Sequence, residues 1–367
     1  MSKINQIKIG NDQINEFLHK DIGKRVNLRT KFLFLRQFSI LLSSKIPIVD
    51  SIKILIDQRE LKSLRKSLER VVENLENGFG VSESFSNDKN FDPFFIAMLK
   101  LGESSGKLDK VMYDLSRYYE ISYNMKSKLT NALTYPIILS LVGMVMMIFL
   151  VKTVVPSFIF IFNDSDIAIP LPTRIIIKLS EIINDYWRLI LLALILVGLA
   201  LFIAYKKTKF GYYVDKFNTN NRIYGTYNKI IKTSKIARTL YVTQKNSMTI
   251  LDGLAIIYSG MTNRYYRGEL LEIIEKIETG SQSIDEAFNQ SSITPVVFNS
   301  MLKIAENTGD FDEVLNKISN FYDKEVEYAI KGFVSIFEPM IILVMGFLVG
   351  FIVISITIPM FEMINSF

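Results

Sequence analysis

The segment whose residue types come nearest to chemistry is Gly-Glu-Ser-Ser-Gly-Lys, Gly102 to Lys107, which has the small residues and lysine of a phosphate cradle. Its spacing does not serve that chemistry. A phosphate loop needs four residues between its glycines and a Ser or Thr after the lysine, to aim amides at phosphate and a hydroxyl at magnesium. Here three residues separate Gly102 from Gly106, and Leu108 follows Lys107. A second copy of the segment, Ala305 to Asp312, has Asp310 where the first has Lys107, and its charge would repel phosphate. Both copies read as a helix–turn–helix corner, with Gly106 or Gly309 permitting the turn and Asp109 or Asp312 near the next helix N-terminus. His19 is the only histidine and there is no cysteine, so paired-imidazole or thiolate metal sites, histidine triads and disulfides are excluded. Glu103, Glu306, Asp50 and Asp252 could act as acid or base, but no nucleophile gathers with them, and capping or ion pairing is their expected use. The sequence therefore supplies no catalytic residue, no cofactor site and no metal site.

The elements that carry these residues are set by hydrophobicity. The chain is 49% hydrophobic yet 22% charged, a combination that places part of it in lipid. Three stretches are long and charge-poor enough to cross a bilayer: Leu129 to Val151 with its extension to Val155, Leu189 to Tyr205, and Pro339 to Phe361. Pro339 is expected in the first turn of the third span, where a missing N–H costs nothing. Lys and Arg then orient the chain. Residues 1–128 hold 22 of them and 206–331 hold 17, whereas 157–186 hold only Arg174 and Lys178, so both large segments face the cytoplasm. The same placement accounts for the net charge of +6 without nucleic acid.

The chain also repeats itself. Arg36 to Leu55 aligns with Arg238 to Ile257 at an offset of 202, pairing Arg36 with Arg238 and Asp50 with Asp252. Met98 to Glu120 aligns with Met301 to Asp323 at an offset of 203, and the same offset carries Pro136 onto Pro339. Each copy is a cytoplasmic module running into a membrane helix, and the second span is the unpaired return crossing. Phe34, Phe38, Leu41 and Leu42, then Ile48, Ile52, Leu55 and Ile56, recur at helical spacing. The expected fold is an all-α membrane protein: two homologous cytoplasmic bundles of about six helices each, plus three transmembrane helices. Its parts are an N-terminal cytoplasmic arm (1–30), first bundle (31–128), first span (129–155), outer periplasmic loop (156–187), second span (188–205), second bundle (206–337), third span (338–361) and outer tail (362–367). The last helix of each bundle is expected to continue into its span, since no strong breaker intervenes. Gly346 and Gly350 form a GxxxG in the third span, a candidate face for membrane-helix packing, and Ser140 and Gly143 supply small residues in the first.

The paired openings at Arg36 to Asp50 and Arg238 to Asp252, with the corners Gly102-Glu103-x-Ser-Gly106-x-Leu-Asp109 and Ala305-Glu306-x-Thr-Gly309-x-Phe-Asp312, resemble the type II secretion system F family, which includes type IV pilus inner-membrane platform proteins. Glu338-Pro339 is similar to that family's second-repeat signature. The resemblance runs from Arg36 to Phe361. It implies a multi-pass protein of the bacterial inner membrane, homo-oligomeric and surrounded by membrane lipid. It further implies coupling of a cytoplasmic hexameric assembly ATPase to extraction and polymerisation of pilin or pseudopilin, alongside other inner-membrane pilus components. Relative to that family the short leading segment is expected to favour a type IVb-like pilus system over general secretion, with a Gram-positive competence pseudopilus as the other choice. The corner residues Arg36, Asp50, Gly102, Glu103, Gly106, Asp109, Arg238, Asp252, Glu306, Gly309 and Asp312 are the candidates for partner contact or for structural corners, and charge reversal at Glu103 or Glu306 is expected to affect partner association more than folding. A repeat-built transporter is the alternative but lacks polar mid-membrane groups beyond Ser355 and Thr357. A membrane receptor leaves the duplication unexplained.

Overall fold

The computed structural model describes residues 26–154, 156–157, 171–208, 210–221 and 224–366. Residues 1–25 of the expected arm, His19 included, and the middle of the expected outer loop, Pro170 included, lie outside the described residues. Among the described residues the chain is helical, with turns and no strand, and it divides into two compact units, Met1–Glu120 and Ile121–Phe367.

In the first unit, α1 (Leu28–Ser43), α2 (Ile48–Ile56), a 3-10 turn (Arg59–Leu61), α3 (Arg65–Glu76), α4 (Val81–Ser86) and α5 (Pro93–Ser105) lead to the start of α6 (Leu108–Phe149). These helices form because each carries an apolar stripe with one destination. Phe34 and Phe38 from α1 stack at 5.4 Å, and Phe85 of α4 meets Phe91 at 4.8 Å and Phe95 of α5 at 5.4 Å. Burying each such ring contributes roughly 1.5–3 kcal/mol. The start of α5 is fixed locally: Pro93 occupies the first turn, and the Asp92 carboxylate accepts from Phe95 N at 3.0 Å.

In the second unit, α7 (Leu171–Lys207) is followed by α8 (Phe210–Asn220), α9 (Tyr224–Lys245), α10 (Ile250–Gly260), α11 (Arg264–Glu278), α12 (Ile284–Asn289), α13 (Val296–Thr308) and α14 (Phe311–Ser366). The duplication is visible in the packing. Phe288 and Phe298, aligned with Phe85 and Phe95, are likewise fully buried and meet at 5.5 Å. From α9 to α14 the order follows that from α1 to α6.

Among the described residues two helices are long and apolar enough to cross a membrane, within Leu108–Val154 and Phe311–Ile358; a third emerges if Leu191–Lys206 is counted with α8, across a 90° bend. The expected loop 156–187 is helical from Leu171 onward. As expected, α6 and α14 pass from bundle to apolar stretch without a break, so Pro136 and Pro339 both lie inside helices. For Pro339 this corrects the first-turn position: α14 starts at Phe311, and nothing before Phe337 stops it. A proline in a helix interior costs about 3 kcal/mol in water, but neighbouring groups re-satisfy the freed carbonyl in membrane helices.

Candidate functional site

The first corner is built from both of its glycines. α5 ends at Gly106, whose φ of 66° lies in the left-handed region that side chains avoid, and Lys107 N donates back to Gly102 O at 3.0 Å. Gly102 is needed for a different reason. A Cβ there would lie 3.0 Å from Leu108 Cδ1 and 3.2 Å from Val111 Cβ, where α5 crosses α6. Between them, Glu103 turns its carboxylate toward α4: it accepts from Val81 N (2.6 Å), Ser82 N (2.9 Å) and Ser82 Oγ (2.7 Å). Partial burial pushes the Glu103 carboxyl up, but the hydrogen bonds from Ser82 and Val81 outweigh it and hold the group below its ordinary value. Asp109, in the first turn of α6, accepts from Lys110 N at 2.8 Å and lies 3.7 Å from Lys45 Nζ.

The second corner repeats the plan with other side chains. Gly309 has φ 72° and donates to Ala305 O at 3.0 Å, while Ala305, aligned with Gly102, is fully buried. Glu306 accepts from Ile284 N and Asp285 N, both at 3.2 Å. Ser283 stands where the first copy has Gly80 and forms its own capping box with Glu286, which leaves less of the cap to Glu306. Asp312 is exposed in the first turn of α14. Both glutamates thus tie their corner to the short preceding helix, which gives charge reversal there a folding cost as well as any effect on partners. The tips, Ser104 to Lys107 and Asn307 to Asp310, are exposed.

The aligned openings diverge. Asp252 closes a capping box with Thr249, whereas Pro47 at the matching place has no N–H or hydroxyl to offer, and Asp50 lies exposed in the first turn of α2. Arg36 is exposed with its guanidinium 5.8 Å from the Phe32 ring. Arg238 is 4% exposed and joins three helices: it ion-pairs with Asp323 of α14, and donates to Ser122 of α6 (3.2 Å) and to Ser234 of α9 (3.1 Å). Ser234 Oγ in turn donates to Asp323 at 2.8 Å. One turn further along, Lys128 of α6 pairs with Glu327 of α14. Sequence reasoning missed this cluster, although the repeat alignment had already marked Asp323 as the partner of Glu120.

In the apolar segments, a Cβ at Gly143 would lie 2.6 Å from Met345 Cε, so close approach of α6 and α14 is made there. At Gly346 and Gly350 no atom of another described element comes within 4 Å of such a Cβ, so this face is not the one that meets α6. Among the described residues no group of three or more metal-binding side chains is brought together. The arrangement caps, pins and joins helices.

Comparison with known proteins agrees with the duplicated plan. The family described as "Type II secretion system (T2SS), protein F" matches residues 34–156 and again 236–359, which are the two repeat copies. A "Type IV pilus assembly protein PilC" of Thermus thermophilus is 28% identical over 92% of this chain and 84% of its own length. The protein of the same name from Pseudomonas aeruginosa is 26% identical over 94% and 92%. A "Type II secretion system protein F" of Aeromonas hydrophila is 28% identical over 91% and 86%. Pilus and secretion relatives stand at the same identity, so similarity does not choose between the two systems.

Proposed function

Because this chain belongs to the type II secretion system protein F family, we propose that it is the inner-membrane platform on which a type IV pilus or secretion pseudopilus is assembled. In this reading both repeats lie in the cytoplasm, with the N-terminus. A cytoplasmic assembly ATPase acts on them, and the membrane helices pass its motion to pilin or pseudopilin. The platform performs no chemistry of its own and works as a homo-oligomer, for which the Gly346 and Gly350 face is a proposed contact.

The observation that carries the reading is the continuity of α6 and α14, of 42 and 56 residues, each rooted in a bundle and ending in an apolar stretch. A helix of that length is a stiff lever, so displacement of the bundle at one end moves the membrane segment at the other. Arg238 and Lys128 join the two levers next to the bundle. The exposed corner tips are the proposed landing surface for the ATPase, since Lys107 contributes no side chain to the caps. The test is capture of the assembly ATPase by the full-length chain in detergent. Wild type is expected to retain it, Lys107→Glu to weaken it with unfolding temperature unchanged, and the purified chain to hydrolyse no ATP. ATP hydrolysis by the chain alone, or no capture of the ATPase by wild type, overturns the proposal.

A further inference from the structure

Helix α8 is turned inside out relative to a water-facing helix. Its buried residues are Gly211, Asp215 and Thr219, while Phe210, Tyr213 and Phe217 are 47%, 65% and 68% exposed. Those three aromatics fall at i, i+3 and i+7, on one face. A helix surrounded by water would point them inward, so the medium on that face is not bulk water.

The position of α8 says what the medium is. It begins three residues after α7 ends, at the basic end of the apolar stretch Leu189–Tyr205, and it leaves that stretch at 90°. A helix perpendicular to a membrane-crossing one lies along the bilayer surface, where aromatic rings are favoured at headgroup level. Exposed Lys206 and Lys216 flank the aromatics and suit an anionic surface, and Lys206 Nζ lies 4.5 Å from the Phe202 ring, turned back along the apolar stretch.

The elbow that sets this angle is specifically built. Asp215 accepts from Tyr205 Oη and from Arg264 N, both at 2.8 Å, and the Arg264 guanidinium caps Thr208 O (2.8 Å) and Lys206 O (2.5 Å) at the end of α7. Gly211 is required there, since a Cβ would fall 2.3 Å from Tyr205 O. We propose that α8 is an interfacial anchor: its Phe210, Tyr213 and Phe217 face is seated in the headgroup region of the inner leaflet. The apolar stretch of 17 residues from Leu189 to Tyr205 spans about 26 Å as a helix, less than a bilayer core of roughly 30 Å. An anchor at its end fixes its depth.

The inference rests on the membrane reading of Leu189–Tyr205, and the test separates the two. The chain has no cysteine, so single substitutions Tyr213→Cys, Phe217→Cys, Leu196→Cys and Glu73→Cys accept a nitroxide in the full-length protein. The labelled proteins are reconstituted in phosphatidylethanolamine–phosphatidylglycerol vesicles, and collision with oxygen is compared with collision with a water-soluble nickel chelate. The expected oxygen-to-nickel ratio is highest at residue 196, intermediate at 213 and 217, and lowest at 73, with 217 several-fold above 73. A ratio at 213 and 217 equal to that at 73, with 196 lipid-like, overturns the anchor and leaves the span. Shielding of 213 and 217 from both reagents means that protein covers them, and also overturns it. A water-like ratio at 196 removes the membrane reading itself.

Discussion

Replacing Arg238 with methionine keeps most of the side-chain volume and removes the charge that joins α6, α9 and α14. The ion pair with Asp323 and the hydrogen bonds to Ser122, Ser234 and the Met125 sulfur are lost. Asp323 keeps only the Ser234 hydroxyl of that group, and its side chain is 17% exposed, too little for water to replace a guanidinium. Breaking one side of a buried pair costs about 3–5 kcal/mol. The residual exposure of Asp323 places this case near the lower end, about 3 kcal/mol, or a lowering of the unfolding temperature by roughly 6–12 °C for a unit of this size. The assay is thermal unfolding of the full-length protein in detergent, followed by circular dichroism. Arg36→Met, at the aligned but exposed position, is the control and is expected to change stability by no more than about 0.5 kcal/mol. Arg238→Met combined with Asp323→Leu removes both charges and is expected to recover all but about 1 kcal/mol. Equal effects at 238 and 36, or a double variant no better than Arg238→Met alone, would refute the reasoning.

Glu103→Gln is expected to lose about 1 kcal/mol at neutral pH, as for other helix caps. Because the folded Glu103 carboxyl titrates below its ordinary value, its contribution is complete above the ordinary range and disappears as pH falls through the folded value. The gap in unfolding temperature between wild type and Glu103→Gln should therefore close on acidification; a constant gap contradicts the cap. Gly106→Ala and Gly309→Ala each force a side chain into the left-handed region and are expected to cost about 1 kcal/mol, whereas Gly260→Ala, inside α10 with open space around its Cβ, should be neutral or stabilising. Calorimetry or thermal melts distinguish these. Gly143→Leu is expected to displace Met345 and cost about 1–3 kcal/mol, while Gly346→Leu leaves the fold intact and lowers the oligomeric mass in light scattering.

Much of this architecture was legible in the sequence because its signals are local. The charge-free stretches, the left-handed glycines at 106 and 309, and the two aligned copies need no knowledge of neighbours. What escaped depends on elements far along the chain. Glu103 caps a helix that starts 22 residues earlier, and no local pattern announces a cap supplied from outside. Arg36 and Arg238 align residue for residue, yet one is exposed and the other buried, because burial of Arg238 depends on Ser122 and Asp323 from two other helices. Pro339 read as a helix start because proline favours that place, but the uninterrupted run from Phe311 prevailed over the propensity. The face of α8 was hidden by composition: FGYYVDKFNTN reads as a mixed segment until the buried Asp215 shows which side points inward.

The central claim is that two copies of one helical module lie on the same side of the membrane, each rooted in a helix that crosses it. Exposed Glu73 and Glu275 occupy aligned places in the two copies, and exposed Asp185 precedes the second apolar stretch. Single cysteines at these three positions, treated with a membrane-impermeant maleimide in intact cells and in inverted membrane vesicles, test the claim directly. The account predicts labelling of 185 alone in intact cells and of both 73 and 275 in inverted vesicles. Labelling of 73 and 275 from opposite sides would contradict it.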